Sequence, residues 1–389
     1  MNTGQLIFSQ LMDFLPLHEF RQCVARYDGD RRVRGFSCLD QFYCMAFAQL
    51  TFRESLRDIE RCLRTLPVKL YHMGIRGRVS RSTLADANER RSWRIYADLA
   101  HVLIDIARPL YADEPIGVRL RRAVYVCDST TIDLCLSLFP WAVFRRRKGA
   151  IKLHTQLDLR GSIPSFITIS HGKMHDVQAL DHLPLEPGAM YVMDRGYCDF
   201  LRLHRFTEHG AWFVLRANRN LDFARVASVA VNKKTGLRCD QTIRLCGRQT
   251  STRYPVHLRR IAYVDPEMGK RFVFLTNDFR LAPLTICQLY RRRWDVEVFF
   301  KWIKQHLRIK AFFGQSPNAV KAQVWIAISV YLLLAISKKR LDVPHDLTQM
   351  LQTMSVIMFE KTPLFQVFSR ETTTIDHPMN HNQLSLFDL

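Results

Sequence analysis

The chain has 389 residues, 48% hydrophobic and 24% charged, enough for two or three domains with cores of their own and no long disordered body. Lysine and arginine number 57 against 36 acidic residues, a net charge of +21, which favours a polyanionic partner, nucleic acid above all. The bland alternatives are a basic but otherwise ordinary enzyme and a membrane-surface protein. The longest apolar run, Val324 to Ile336 with Ser329 inside it, is too short to cross a bilayer and reads as a buried helix. The excess is uneven: residues 1–115 hold 17 basic and 14 acidic side chains, and the remainder 40 and 22.

In chain order, residues 1–115 read as helical. Ser37 to Leu50 is rich in helix-compatible apolar residues, and Glu54 to Leu63 continues with mixed charge. The spacing of Trp93, Tyr96, Ala97, Ala100, Ile104 and Ala107 predicts a helix over Arg81 to Arg108, with Thr83 and Asp86 as a capping-box-like start. Arg76, Arg78, Arg81, Arg90, Arg91 and Arg94 surround that start. They are open to two readings, a surface that binds DNA ends or a solvated helix face.

From Ala123 the pattern turns to strands. Ala123 to Cys127 ends at Asp128, and Met190 to Met193 ends at Asp194. Ile151 to Leu159 and Ile163 to Ser170, joined by Arg160 and Gly161, form a hairpin pattern. A short helix is expected at Val177 to Leu183, a longer one at Phe200 to Glu208, and a strand at Trp212 to Leu215. Thr242 to Leu245, Tyr254 to Ile261 and Phe272 to Leu275 read as further strands. Helical signals return at Leu284 to Arg308 and at Asn318 to Lys338. The segment from Glu371 is polar and expected to be loose until its last residues.

The ten cysteines show no Cys-x2-Cys pair and no zinc spacing. Cys44, Cys127 and Cys135 sit in apolar text, as reduced core cysteines do. With no basic segment leading into an apolar run at the start, the expected compartment is the cytoplasm.

Asp128 and Asp194 each close a short apolar strand, where side chains meet ligands in α/β folds. A carboxylate at such a spot is costly to bury unless paired or metal-bound. Either one alone could simply open a turn, since Asp128-Ser129-Thr130 and Asp194-Arg195-Gly196 are both turn-like. A third acid shifts the balance. On one helix, Tyr290, Arg293, Glu297 and Lys304 fall within an arc of about 60°, beside an apolar arc of Leu289, Val296, Phe300, Ile303 and Leu307. A helix docked by that apolar face aims Glu297 at the strand ends, with Arg293 and Lys304 flanking it to hold phosphates. Oxygen-only donors of this kind suit magnesium.

The spacing Tyr-x2-Arg-x3-Glu-x6-Lys, filled by Tyr290, Arg293, Glu297 and Lys304, resembles the signature of bacterial insertion-sequence transposases of the insertion-sequence-four type. Asp128-Ser129-Thr130-Thr131, Asp194-Arg195-Gly196-Tyr197, Lys152, His154 and the pair His175-Asp176 also resemble that family. The resemblance covers about residues 120–340, and the helical N-terminus in general character.

It implies an α/β fold: a ribonuclease-H-like catalytic core with a β-rich insertion, preceded by an α-helical N-terminal domain. The expected division is 1–115 for a helical, DNA-end-binding domain, 116–216 and 281–340 for the core, 217–280 for the insertion, and 341–389 for the C-terminal region. Asp128, Asp194 and Glu297 are then the catalytic metal ligands, holding two Mg2+ ions for which Mn2+ can substitute, with Asp128 as the bridging ligand. Tyr290, Arg293, Lys304, Arg195 and Lys152 are candidate DNA and phosphate contacts. His154 and His175 could position water or phosphate, or be structural. Relatives stack a tryptophan of the insertion on a flipped base. This insertion has none, leaving Tyr254, Tyr263, Phe272 or Phe274 as substitutes or as core. The implied activity is cleavage of element ends and joining of the 3′-OH to target DNA, by a homodimer on paired ends, in the bacterial cytoplasm at the nucleoid, with no membrane association. Two alternatives stay open: a nuclease of the same fold that cuts without joining, and a non-catalytic DNA-binding regulator derived from a transposase.

Gln383, Leu384, Ser385, Leu386 and Phe387 resemble the short peptide by which bacterial proteins bind the replicative sliding clamp. The glutamine supplies directional hydrogen bonds, and Leu386 and Phe387 fill an apolar pocket. A terminal stretch folded back on the body is the competing reading.

Overall fold

The computed structural model describes residues 4–369, apart from 121, 146, 147 and 219. Seven helices come first: α1 (Ile7–Met12), α2 (Leu17–Arg26), α3 (Cys38–Leu50), α4 (Leu56–Arg64), α5 (Pro67–His72), α6 (Arg81–Arg90) and α7 (Arg94–Leu110). Helix α3 starts on a capping box: the Asp40 amide donates to Ser37 Oγ at 3.1 Å, and the Ser37 amide to Asp40 Oδ2 at 2.7 Å. Helix α6 is capped by Ser80, whose Oγ accepts from the Thr83 amide, so the start lies earlier than Thr83 and Asp86 suggest.

The stretch Arg81 to Arg108 is two helices, not one. The chain breaks after Arg90, and Asn318 satisfies the exposed backbone there. Its Nδ2 donates to the carbonyls of Asn88 (2.9 Å) and Arg91 (2.6 Å), and its Oδ1 accepts from the Trp93 amide (3.2 Å). A tertiary side chain thus offsets the helical bonds forgone.

Ten strands form one mixed sheet: β1 (Val124–Leu134), β2 (Val143–Arg145), β3 (Lys148–Asp158), β4 (Ile163–His171), β5 (Met190–Met193), β6 (Trp212–Arg216), β7 (Phe223–Val229), β8 (Leu237–Leu245), β9 (Leu258–Val264) and β10 (Arg271–Thr276). Strand β3 lies antiparallel to β1, β2 and β4, while β1, β5 and β6 run parallel. The β3–β4 turn uses Gly161 at φ +68°, where a Cβ would strike the Tyr111 ring.

Asp128 does not close its strand, because β1 runs on to Leu134. Its partner β5 pairs only with Val124–Cys127, so from Asp128 onward one edge of β1 has lost its neighbour. The ligand-facing opening is therefore set where the parallel pairing stops, which the apolar run Ala123–Cys127 marks in sequence.

Beyond β6 the sheet continues through β10, β9, β8 and β7, all antiparallel. Strand β7 carries no apolar alternation and escapes the sequence pattern. Tyr254 ends the short helix α9 (Arg248–Arg253) and is buried, as are Tyr263 and Phe274; none offers a free ring face. Arg259 is the anchor of this region: it donates to both carboxylate oxygens of buried Asp240 (2.8 and 2.6 Å) and to the carbonyls of Asp278 and Leu281.

The remaining helices are α8 (Phe200–Glu208) between β5 and β6, then α10 (Pro283–Arg291), α11 (Trp294–His306), α12 (Pro317–Arg340), α13 (Leu347–Ile357) and α14 (Leu364–Ser369). Helix α12 is long and apolar enough to cross a membrane, but 94% of its most apolar window is buried; it is the central helix of the core, packed on α3, α6 and α7. The helix expected over Leu284 to Arg308 is interrupted at Arg292 and Arg293, between α10 and α11. Cys44 and Cys127 are buried as expected, but Cys135 is exposed; all ten cysteines are free thiols.

Arg259→Ala would leave Asp240 charged and buried. We expect a loss of roughly 3–5 kcal/mol in urea unfolding, with Arg259→Met/Asp240→Leu recovering most of it. A single variant within about 1 kcal/mol of the parent would show that the pair does not anchor the insertion.

Candidate active site

The three acids come from three elements. Strand β1 supplies Asp128, the residue after β5 is Asp194, and the first turn of α11 supplies Glu297. Helix α11 packs on β1 through the apolar arc read in the sequence: Val296, Phe300, Ile303 and Leu307 are buried, as is Leu289 of α10. Arg293, at the break between α10 and α11, bonds two acids at once. Its Nη1 lies 3.1 Å from Asp128 Oδ2 and its Nη2 2.6 Å from Glu297 Oε1. Tyr290, from α10, donates its hydroxyl to Asp194 Oδ1 at 2.8 Å. The break lets Tyr290 and Arg293 reach different acids, which one straight helix line would not.

Asp128, Glu297, Lys301, Lys304 and Lys310 line a depression of about 510 Å³, with carboxylates and ammonium groups in its walls. Lys304 donates to the Thr130 hydroxyl and to the Thr131 carbonyl, the latter at 2.9 Å. Burial and the nearby charge of Lys310 push its pKa down.

The electrostatics separate the acids. Burial raises Asp128 to about 6; the Ser129 amide and Arg293 oppose the rise, and the charges of Glu297 and Asp194 add to it. Asp194 is also half-buried, yet the Arg195 amide, the Tyr290 hydroxyl and the charges of Arg293 and Arg216 hold it below the ordinary carboxylate range. Asp128 is the strained member of the set. Among the described residues, no three acidic, histidine or cysteine side chains stand close enough to hold one metal ion. The Arg293 guanidinium occupies the position between two of the acids.

A second layer fixes Asp128 from behind. The Ser129 amide donates to Asp128 Oδ1 at 2.8 Å, and the Ser129 hydroxyl to Asp176 Oδ1 at 2.6 Å. Lys152 donates to the same Asp176 oxygen (2.9 Å) and to the Met174 carbonyl (3.0 Å). Its ammonium is therefore engaged by protein, which differs from the phosphate contact expected of it. Asp176 carries more of the site than its sequence pattern suggests; the only signal is its place in the pair His175-Asp176. His154 is buried, bonds Ser170 Oγ at 2.7 Å, and is pushed down to about 4 by burial, so it is neutral near pH 7. His175 is exposed. Arg195 is half-buried beside Asp194 and makes no ion pair among the described residues. The peptide Gln383 to Phe387 lies outside the described residues.

Residues 119–333 match the family model described as a transposase DDE domain. The chain belongs to the DDE transposases. Residues 3–76 match a second model, described as a domain of unknown function, DUF4372. The transposase is 33% identical over 260 residues to a Sinorhizobium fredii protein named as a transposase, y4zB, covering 66% of this chain and 71% of that one. It is 30% identical to a Geobacillus stearothermophilus protein named as the transposase of insertion sequence IS5377, over 56% of this chain and 57% of that one. It is 23% identical to a Synechocystis protein named for insertion sequence IS4SA, over 78% and 82%. These relatives make it an insertion-sequence transposase, the product of a mobile element.

The raised Asp128 has a consequence for stability. Its folded pKa of about 6 lies above the ordinary 3.8, so its charge opposes folding above pH 6, and that penalty fades as pH falls toward 4. Asp128→Asn in the presence of a chelator is expected to stabilise the transposase by about 3 kcal/mol at pH 7.5, with the difference closing by about pH 4. Thermal melts across pH check this; an Asp128→Asn protein less stable than the parent at pH 7.5 would contradict the assigned strain.

Proposed function

We propose that this transposase cleaves the ends of its insertion sequence and joins the freed 3′-hydroxyls to target DNA by two-metal phosphoryl transfer, in cut-and-paste transposition. The observation that carries the reading is the single guanidinium of Arg293 bonded to both Asp128 and Glu297, with the charge of Asp194 felt at Asp128. Asp128 and Glu297 share one guanidinium at the wall of a lysine-lined depression, and Asp194 adds its charge nearby. The strand order β4-β3-β1-β5-β6, three antiparallel strands followed by two parallel ones, supports a ribonuclease-H-like core with β7–β10 as its insertion. The signature Tyr290, Arg293, Glu297 and Lys304 supports the insertion-sequence-four type.

Asp128, Asp194 and Glu297 would hold two Mg2+ ions, or Mn2+ in their place. The donor set fits: it is all oxygen and anionic, and a cation would relieve the raised Asp128. Bound there, the ions supply activation of the attacking hydroxyl and stabilisation of the leaving oxygen. Arg293, which now bonds Asp128 and Glu297, would offer its fork to a DNA phosphate if released from them. Tyr290 orients Asp194 through its hydroxyl. Lys304 stands beside Thr130 to hold a phosphate next to the cut, and Arg195 offers another cation near Asp194. Lys152 acts through Asp176 and Ser129 to fix Asp128. The helical N-terminal region binds element ends, two copies act on paired ends, and the work is done in the cytoplasm at the nucleoid. Gln383 to Phe387 recruits the sliding clamp.

The test uses Mg2+, the flanking inverted repeats, and separately pre-cut ends with target DNA. The parent should cleave and join. Asp128→Ala, Asp194→Ala and Glu297→Ala should each lose both steps while still binding ends. Parental rates in any of the three would remove that acid from the site, and cleavage without joining would make the chain a nuclease only.

A further inference from the structure

Helix α11 has three faces. One, made by Val296, Phe299, Phe300 and Ile303, is buried. A second, the line through Glu297 and Lys304, borders the catalytic depression. The third carries Trp294, Val298, Lys301 and Gln305. At about 100° per residue these four fall within an arc of about 60° that begins about 40° from Glu297. Trp294 is 61% and Val298 52% exposed, and Lys301 and Gln305 are exposed as well. Among the described residues, none of the four side chains has a hydrogen-bond partner or an ion pair.

A solvated helix face is ordinarily charged or polar throughout. This one leaves two large apolar side chains in water beside Glu297 and carries a single charge. The face is also rigid. Helix α11 packs on β1, and Lys304, on the adjoining line, donates to the Thr130 hydroxyl and the Thr131 carbonyl. The four side chains therefore keep a fixed place relative to Asp128 and Glu297. Lys301 and Gln305 reach the wall of the depression, together with Lys304 and Lys310. A polyanion is the charge-complementary occupant of such a wall. A second copy of this chain is not, because across a two-fold axis the lysines would face their own kind.

We propose that this face of α11 reads base edges of the DNA beside the cut, with Gln305 and Val298 as the specificity-determining residues. The inference rests on reading the chain as a DNA transposase, and it names what sets the sequence preference at the cleavage position. A face that met phosphates alone would need only cations and hydrogen-bond donors, and Val298 is neither. A glutamine amide offers a donor and an acceptor in one plane, which match N6 and N7 of adenine in the major groove, and an apolar side chain packs on the thymine methyl group. Lys301, between the two on the same face, holds the backbone. Val298 and Gln305 stand about 10 Å apart along the helix axis. With the helix lying along the groove, that spacing covers about three base-pair steps. Val298 follows Glu297 directly and meets the base nearer the cut.

The experiment incubates the full chain and Mg2+ with element ends in which about six base pairs beside the cleavage position, the span of α11 laid along a duplex, are randomised. Cleaved and uncleaved molecules are then sequenced. The parent should enrich adenine at one position and thymine at another, about three base pairs nearer the cut. Gln305→Ala should reduce the adenine preference roughly tenfold and leave the thymine preference, and Val298→Ser should do the reverse. Lys301→Ala should slow cleavage of every sequence alike and leave both preferences. An unchanged melting temperature checks that the variants fold. Preferences that survive in both specificity variants, or a parent with none in the randomised window, overturn the inference while leaving the transposase reading intact. Variants that keep both preferences but change self-association in sedimentation overturn it too, and give the face to a second copy. A parent that cleaves no member of the pool overturns this inference and the proposed function together.

Discussion

Carboxylates placed side by side in a half-buried site repel, and a fold that puts them there must supply positive charge or hydrogen-bond donors to match. In this chain the supply is uneven. Asp194 receives an amide, a tyrosine hydroxyl and two nearby arginine charges, and settles below the ordinary range. Asp128 has an amide and Arg293 but more burial to contend with, and remains raised at about 6. Arg293 is shared between Asp128 and Glu297. One guanidinium thus ties Asp128 to Glu297, while Asp194 is held by the Tyr290 hydroxyl.

The rest of the fold can be understood as what makes that cluster possible. The parallel pairing of β1 with β5 stops at Cys127 and Met193, and the next residue on each strand is an acid. The chain then makes a long detour through β6–β10 before α10 and α11 return. Because β10 pairs with β6, the detour enlarges the same sheet, and Arg259 with Asp240 locks it to the loop that leads into α10. The break at Arg292–Arg293 then aims Tyr290 and Arg293 at separate acids. Behind the cluster, Ser129, Asp176 and Lys152 brace Asp128 through short polar contacts.

Much of this was legible in the sequence where local pattern and tertiary environment agree. The strand Met190–Met193 and the helix Phe200–Glu208 coincide with their apolar patterns, and the apolar arc of α11 is the buried one. Illegible features depend on distant partners. Asn318 splits the Arg81–Arg108 helix from more than two hundred residues away. The break that divides the signature helix is not marked by glycine or proline. Strand β7 is largely exposed, so it shows no alternation. Lys152 reads as a free cation until Asp176, twenty-four residues on, is seen to hold it. Arg76, Arg78 and Arg81 stand together in the sequence, but Arg32 and Arg34 come near them only through the fold, where Gly35 approaches Gly77.

We infer that Asp128, Asp194 and Glu297 together take divalent metal in place of Arg293. Iron-directed cleavage tests it directly: Fe2+ bound at the site, with ascorbate and peroxide, cuts the polypeptide next to its ligands. Backbone cuts should cluster near residues 128, 194 and 297, be suppressed by excess Mg2+ and be absent when Asp128 is replaced by alanine. Cuts elsewhere, or cuts near only one of the three that Mg2+ does not suppress, would contradict it.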